Sequence, residues 1–220
     1  MEGLTQECKC GKVQFELTGQ PKLHAACCCN GCRLSGEYVQ SRGGDSPLDV
    51  VGSLPTAFFV HNDVKLIKGK DNIQAFVVIA GSKTRRFYCK SCKTALAMAP
   101  AGFPMIGLQT ITLKSNKSGT WPALEARHSL QQIKSKDKHD KMVVDCQNDG
   151  NNVPWHEEQY APCFQFLCPV ICAAICCSKS TIPEITDVDY LGISEVAVPG
   201  TIDCSDSTNI HPIAMQAISR

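Results

Sequence analysis

The cysteines of the N-terminal half constrain this chain more than any other feature. They fall in three tight groups: "CKCG" with Cys8 and Cys10, "CCCNGC" with Cys27, Cys28, Cys29 and Cys32, and "CKSC" with Cys89 and Cys92. The chain carries 15 cysteines in 220 residues, an odd number that a fully paired disulfide framework cannot use. The start "MEGLTQECKCGK" has no basic stretch followed by an apolar run, so no secretory signal is expected there. Without secretion thiols stay reduced, and clustered cysteines are then metal ligands more readily than disulfides. Zinc takes four thiolate ligands in a tetrahedron, and a C-x-C or C-x-x-C pair aims two sulfurs at one ion from a tight turn. Cys8 and Cys10 precede the strand-like "KVQFEL" (residues 12–17), and Cys89 and Cys92 follow "RRFY" (85–88). Strand pairing can bring the two pairs together as a closed, structural zinc site. Packing as small buried hydrophobes is the plainer alternative.

The middle group, in "HAACCCNGCR" (residues 24–33), reads as C-x-C-x-x-C when Cys28 is skipped. Neighbouring side chains of an extended segment point apart, so Cys27 and Cys29 can face one ion while Cys28 faces away. The Asn30–Gly31 pair tolerates positive φ and is expected to turn the chain so that Cys32 returns. Three protein ligands leave a fourth position for a substrate. Three thiolates on Zn²⁺ give a formal charge of minus one, which should blunt activation of water but suits holding a thiol as thiolate. Redox or structural thiols are the alternative. Cys28 is then an unliganded neighbour or a redox-sensitive thiol, the first of the cluster to be alkylated if exposed. Arg33 could grip a carboxylate of an anionic thiol such as glutathione by a two-point contact, or form an ordinary salt bridge. His24, His61 and His128 could each be a fourth ligand, a proton carrier or a packing histidine.

The rest of the N-terminal half is β-like. "KVQFEL" alternates, with Val13, Phe15 and Leu17 on one face. "TAFFV" (56–60), "VKLI" (64–67), "IQAFVVIA" (73–80) and "RRFYC" (85–89) are short and rich in aromatic or β-branched residues, with turn-forming groups between several of them. "ALAMA" and "MIGLQTITL" could add two strands, and no long amphipathic helix is expected before about residue 120. Phe87 and Tyr88 are expected in the strand core. The pattern predicts a mainly β domain. Lys plus Arg number 22 against 21 Asp plus Glu, for a net charge of +1, so no nucleic-acid partner is expected. "NDGNNVPWHEE" (148–158) looks like a domain end, dividing a domain of residues 1–158 from an extension of residues 159–220. That extension opens with "APCFQFLCPVICAAICC" (161–177), too short and too Pro-broken to span a membrane. A packed helix, a membrane-contacting segment and a cluster of acylated cysteines all fit it.

The stretches "CKCGKVQFELTGQP", "CCCNGCRLSG" and "FYCKSCKTAL" together resemble the three signatures of the glutathione-dependent formaldehyde-activating enzyme family, which also contains the centromere protein V type of protein. The resemblance covers roughly residues 5–100, with weaker echoes in "WPALEARHS" and "DGNNVPWHEE". It implies an Mss4-like β-tent of antiparallel sheets stapled by zinc. It implies a structural zinc on Cys8, Cys10, Cys89 and Cys92, and a second, more open zinc on Cys27, Cys29 and Cys32. The activity it implies is that of a carbon–sulfur lyase, adding glutathione to formaldehyde to give S-hydroxymethylglutathione. The alternative is a non-catalytic zinc-stapled interaction module. The chain departs from the family at Cys28, where the family has His, and at Lys93, where it has Gly after the last C-x-x-C.

Overall fold

A computed structural model describes residues 4–78, 82, 84–100, 105–117 and 121–122, together with the backbone of 126–128 and 155–156. The elements run β1 (Leu4–Glu7), β2 (Gln14–Leu17), β3 (Leu23–Cys27), α1 (Asn30–Ser41), β4 (Leu54–Val60), β5 (Val64–Lys68), β6 (Ile73–Phe76), β7 (Thr84–Cys89), β8 (Ala95–Pro100), β9 (Met105–Gln109), β10 (Lys114–Ser115), β11 (Ala126–His128) and β12 (Trp155–His156). They form a four-stranded sheet in the order β10-β1-β2-β5 and an eight-stranded sheet in the order β12-β11-β3-β4-β9-β8-β7-β6. Pairing is antiparallel except at one edge, where β3, β11 and β12 run parallel. The expected mainly β architecture of antiparallel sheets is therefore the observed one, built as two sheets.

The alternation in β2 positions the core. Val13, Phe15 and Leu17 are buried and join Val64 and Leu66 of β5 as the four-stranded sheet's share of the main cluster. Phe59 of β4, Phe87 of β7, Leu96 of β8 and Leu108 of β9 supply the larger sheet's share. Burying a side chain of this size contributes about 1.5–3 kcal/mol. The other face of the large sheet carries a second cluster, in which Val39 of α1 meets Phe76, Tyr88 and Ala95. Covered on both faces, the central strands read as continuous apolar runs rather than alternating ones; all five residues of β9 are buried.

The 12-residue helix α1 stands where the sequence suggests only a turn. Its buried stripe, Cys32, Ser35, Gly36 and Val39, has helical spacing but holds one large apolar residue. Its first turn has no acidic residue and its last no basic one, so the usual end signals are missing. The stripe is small because the helix packs closely: a Cβ on Gly36 would stand 2.7 Å from the Leu48 side chain. Gly43, at φ 88°, ends the helix in the left-handed conformation that glycine adopts without strain. The expected strand 73–80 ends as a strand at Phe76, and residues 79–80 lie outside the described ones. The charged run 134–141 and the Cys-rich segment 161–177 also lie outside them. Among the described residues, no helix is long and apolar enough to cross a membrane.

Candidate metal centres

Cys8 and Cys10 lie in the turn between β1 and β2. Cys89 closes β7, and Cys92 lies in the turn before β8. The four sulfurs lie within 4.8 Å of one another. Cys8 Sγ is 3.5 Å from Cys10 Sγ, and Cys10 Sγ is 3.8 Å from Cys89 Sγ. Four sulfurs at the zinc–thiolate distance from one ion stand about 3.8 Å apart, so the donors fit zinc. The two turns are built alike. Gly11 N donates to Cys8 O and Lys93 N to Cys89 O, each at 2.8 Å. The residue after the second cysteine is left-handed in both, Gly11 at φ 69° and Lys93 at φ 56°. Lys93 thus keeps the turn that glycine would make, at a cost of about 1 kcal/mol for a residue with a Cβ. Val13 N donates to Cys8 Sγ at 3.3 Å, and Lys9 N to Thr94 Oγ1 at 3.1 Å, tying one turn to the other. Gly44, just past α1, approaches the Lys93 carbonyl so closely that a Cβ would overlap it.

Burial pushes the Cys89 thiol up to about 12. It opposes ionisation of Cys92 too, but hydrogen bonds from the Thr94 hydroxyl, the Thr94 and Cys10 backbones and the Cys10 thiol bring that thiol down to about 6.

Cys27 ends β3, and Cys29 and Cys32 flank the start of α1; their three sulfurs also lie within 4.8 Å of one another. Cys29 is the N-cap of the helix, and its sulfur accepts from Cys32 N at 3.4 Å. Here the helix replaces the expected positive-φ turn at Asn30–Gly31. Its first turn carries Cys32 back to the other two, because positions N-cap and N3 lie on one side of a helix. Hydrogen bonds from Cys27 and Cys32, with the Cys32 amide and nearby Arg86, hold the Cys29 thiol well below its ordinary value. The same bonding pushes Cys27 up, with burial adding to it. Bonding to Cys27 pulls Cys32 down, but Cys29 and burial outweigh that and raise it to about 12. The helix N-terminus adds a favourable field for the anion.

Cys28 is absent from both sets and is fully buried, 0 % exposed. The alternation that turns it from the other sulfurs sends it into the interior, so the condition for its early alkylation is not met. Both ring nitrogens of buried His24 are engaged, Nδ1 with Pro122 O at 2.8 Å and Nε2 with Thr110 Oγ1 at 3.1 Å. Burial lowers the pKa of His61. Neither histidine joins a metal-holding group, and the His128 side chain lies outside the described residues. Arg33 is half-buried on α1, one residue past Cys32. Arg86 of β7, which the sequence did not single out, is 8 % exposed, with Nη2 4.0 Å from Cys32 Sγ. Its one sequence signal is an arginine pair entering an otherwise apolar strand, "TRRFYC".

Two thiol sets, one of four and one of three, on a mainly β frame could each hold a metal ion, with donors that suit zinc. The family model for the glutathione-dependent formaldehyde-activating enzymes matches residues 3–127, and the chain belongs to that family. Both thiol sets fall inside the match. The chain is also similar to a Rhodobacter sphaeroides protein of known crystal structure, at 16% identity and a TM-score of 0.37, over 69% of this chain and 99% of that one. Among curated proteins, none matches.

Proposed function

We propose that the chain is a cytoplasmic, zinc-dependent enzyme of the carbon–sulfur lyase type, acting on a thiol such as glutathione and a small carbonyl such as formaldehyde. The observation that carries this is the convergence of Cys27, Cys29 and Cys32 within 4.8 Å at the start of α1, a three-donor set separate from the four-donor one. Zinc bound there would hold an incoming thiol as its thiolate. Cys27, Cys29 and Cys32 place that thiolate, and Arg33, next along α1, takes a carboxylate of the substrate. The sulfur lone pair forms the new C–S bond as the carbonyl π pair moves to oxygen. The oxygen takes up the proton that the thiol released, and the reverse reaction expels the thiolate. The four-cysteine set is structural on this reading. Residues 1–158 are one zinc-stapled domain on this reading, and 159–220 are a Cys-rich apolar extension.

The test is a Cys29→Ser variant. Serine is a good N-cap, so α1 should survive the change. A ligand at 100 times its Kd stabilises the wild type by about 2.7 kcal/mol, read as a rise in melting temperature with glutathione. That rise should vanish in Cys29→Ser. An undiminished rise would remove the middle set from the chemistry and leave the non-catalytic interaction module of the centromere protein V type as the better account.

A further inference from the structure

We infer that Arg86 is the buried countercharge of the three-cysteine centre, a positioning residue that lets an anionic fourth ligand join three thiolates already present. The inference rests on the proposal that Cys27, Cys29 and Cys32 hold zinc. Arg86 is 8 % exposed and is followed on β7 by the buried Phe87 and Tyr88. A guanidinium cannot shed its proton, so burying one calls for a negative partner. Among the described residues, no carboxylate pairs with Arg86. Its other contacts among the described residues are neutral. Nη1 donates to Thr84 O at a long 3.5 Å, and Nε has no partner. Arg86 and Gln109, whose Oε1 also lacks a partner, line a cavity with about 10 Å³ of free space. That is about the room one water needs, and a water can accept from Nε and donate to Oε1. What remains is Nη2, 4.0 Å from Cys32 Sγ. It lies beneath the first turn of α1, where a Cβ on Gly31 would stand 3.6 Å from it. Among the described residues, the thiolate set is the anion this cation faces.

The charges then balance. Three thiolates on a divalent ion leave minus one, and Arg86 brings the centre to zero. A substrate thiolate entering that centre takes it to minus one, where without Arg86 it would take it to minus two. At the short separations of this half-buried site the second case is opposed. Arg86 should therefore favour an anionic sulfur over a neutral ligand, and so sets the chemical class of the substrate that binds.

The experiment uses the full chain loaded with cobalt, whose visible spectrum reports the fourth ligand. The probes are 2-mercaptoethanol, which binds as an anion and carries no carboxylate for Arg33, and imidazole, which binds neutral. Arg86→Gln should weaken 2-mercaptoethanol at least tenfold, about 1.4 kcal/mol, while imidazole binds within about twofold of wild type. Arg86→Lys keeps the charge and should restore most of the thiol's advantage. Equal weakening of both probes would show a merely structural residue, and no change in their ratio would also overturn the inference. If Arg86→Gln does not fold, Arg86→Lys against wild type decides alone, because a thiol-to-imidazole ratio lost despite the retained charge refutes the countercharge. Uptake of one cobalt rather than two by the wild-type chain would instead overturn the zinc proposal itself, and this inference with it.

Discussion

Replacing Cys92 by alanine isolates the mechanical value of the four-cysteine set. The side chain is half-buried, so losing its own packing should cost under about 1 kcal/mol. Its sulfur matters more as one corner of a clasp. An ion gripping Cys10 and Cys89 bridges positions 79 apart in sequence. By the chain-entropy argument used for disulfides, closing a loop of about 80 residues restricts the unfolded chain by about 4.5 kcal/mol. For a domain of this size, each kcal/mol moves the melting temperature by about 2–4 °C, so loss of the ion through Cys92→Ala should lower it by about 9–18 °C. The assay is a thermal melt followed by circular dichroism, in a Cys29→Ser background so that the other thiol set does not contribute. A strong chelator should bring the parent down by a similar amount and affect Cys92→Ala far less, since both remove the same clasp. A loss under about 3 °C in Cys92→Ala, or a chelator effect as large there as in the parent, would refute the clasp.

Two further outcomes follow from the same turns. In chelator-treated protein, Cys92 is a reactive thiol of the four-cysteine set: its thiolate forms as pH rises through about 6 and is lost below it, so its alkylation should reach a plateau by neutral pH. Cys89, held up to about 12, and the fully buried Cys28 should remain unlabelled under the same conditions, as peptide mass mapping can check, and early labelling of Cys28 would contradict its placement. Lys93→Gly should relieve about 1 kcal/mol of left-handed strain. It gives up the Nζ bond to Lys90 O at 2.6 Å and the contact with the Tyr88 ring at 5.5 Å. The net expectation is a melting temperature higher by about 1–3 °C, and a lower one would mean that the lysine's contacts outweigh its backbone cost.

What the sequence disclosed depended on how local each cause was. The four-cysteine set was legible because two sulfurs two or three residues apart are nearly placed by the turn that holds them. Val13, Phe15 and Leu17 were legible because period-two burial is written in β2 itself. Helix α1 was not, since its buried face of Cys32, Ser35 and Gly36 takes its character from Leu48 and the sheet opposite. Local alternation foretold that Cys28 would turn away from Cys27 and Cys29, but not that the interior waits on that side. Arg86 stayed hidden for the same reason: its partner lies 54 positions away, across the packing of α1 on β7.

The clasp also sets a schedule for synthesis. Cys8 and Cys10 leave the ribosome before their partners Cys89 and Cys92, which belong to the far sheet and come some 80 residues later. At about 5–20 residues per second, the first pair waits about 4–16 s before a closed site can exist. During that interval β1 and β2 can pair with each other, but the apolar faces of β2 and β4 have no β7, β8 or β9 to cover them. The nascent chain is then an exposed half-core carrying six thiols, Cys8, Cys10, Cys27, Cys28, Cys29 and Cys32. A metal ion within reach as Cys92 emerges would let the two sheets close on each other at once, and a later search for it would leave those thiols and apolar faces open for longer.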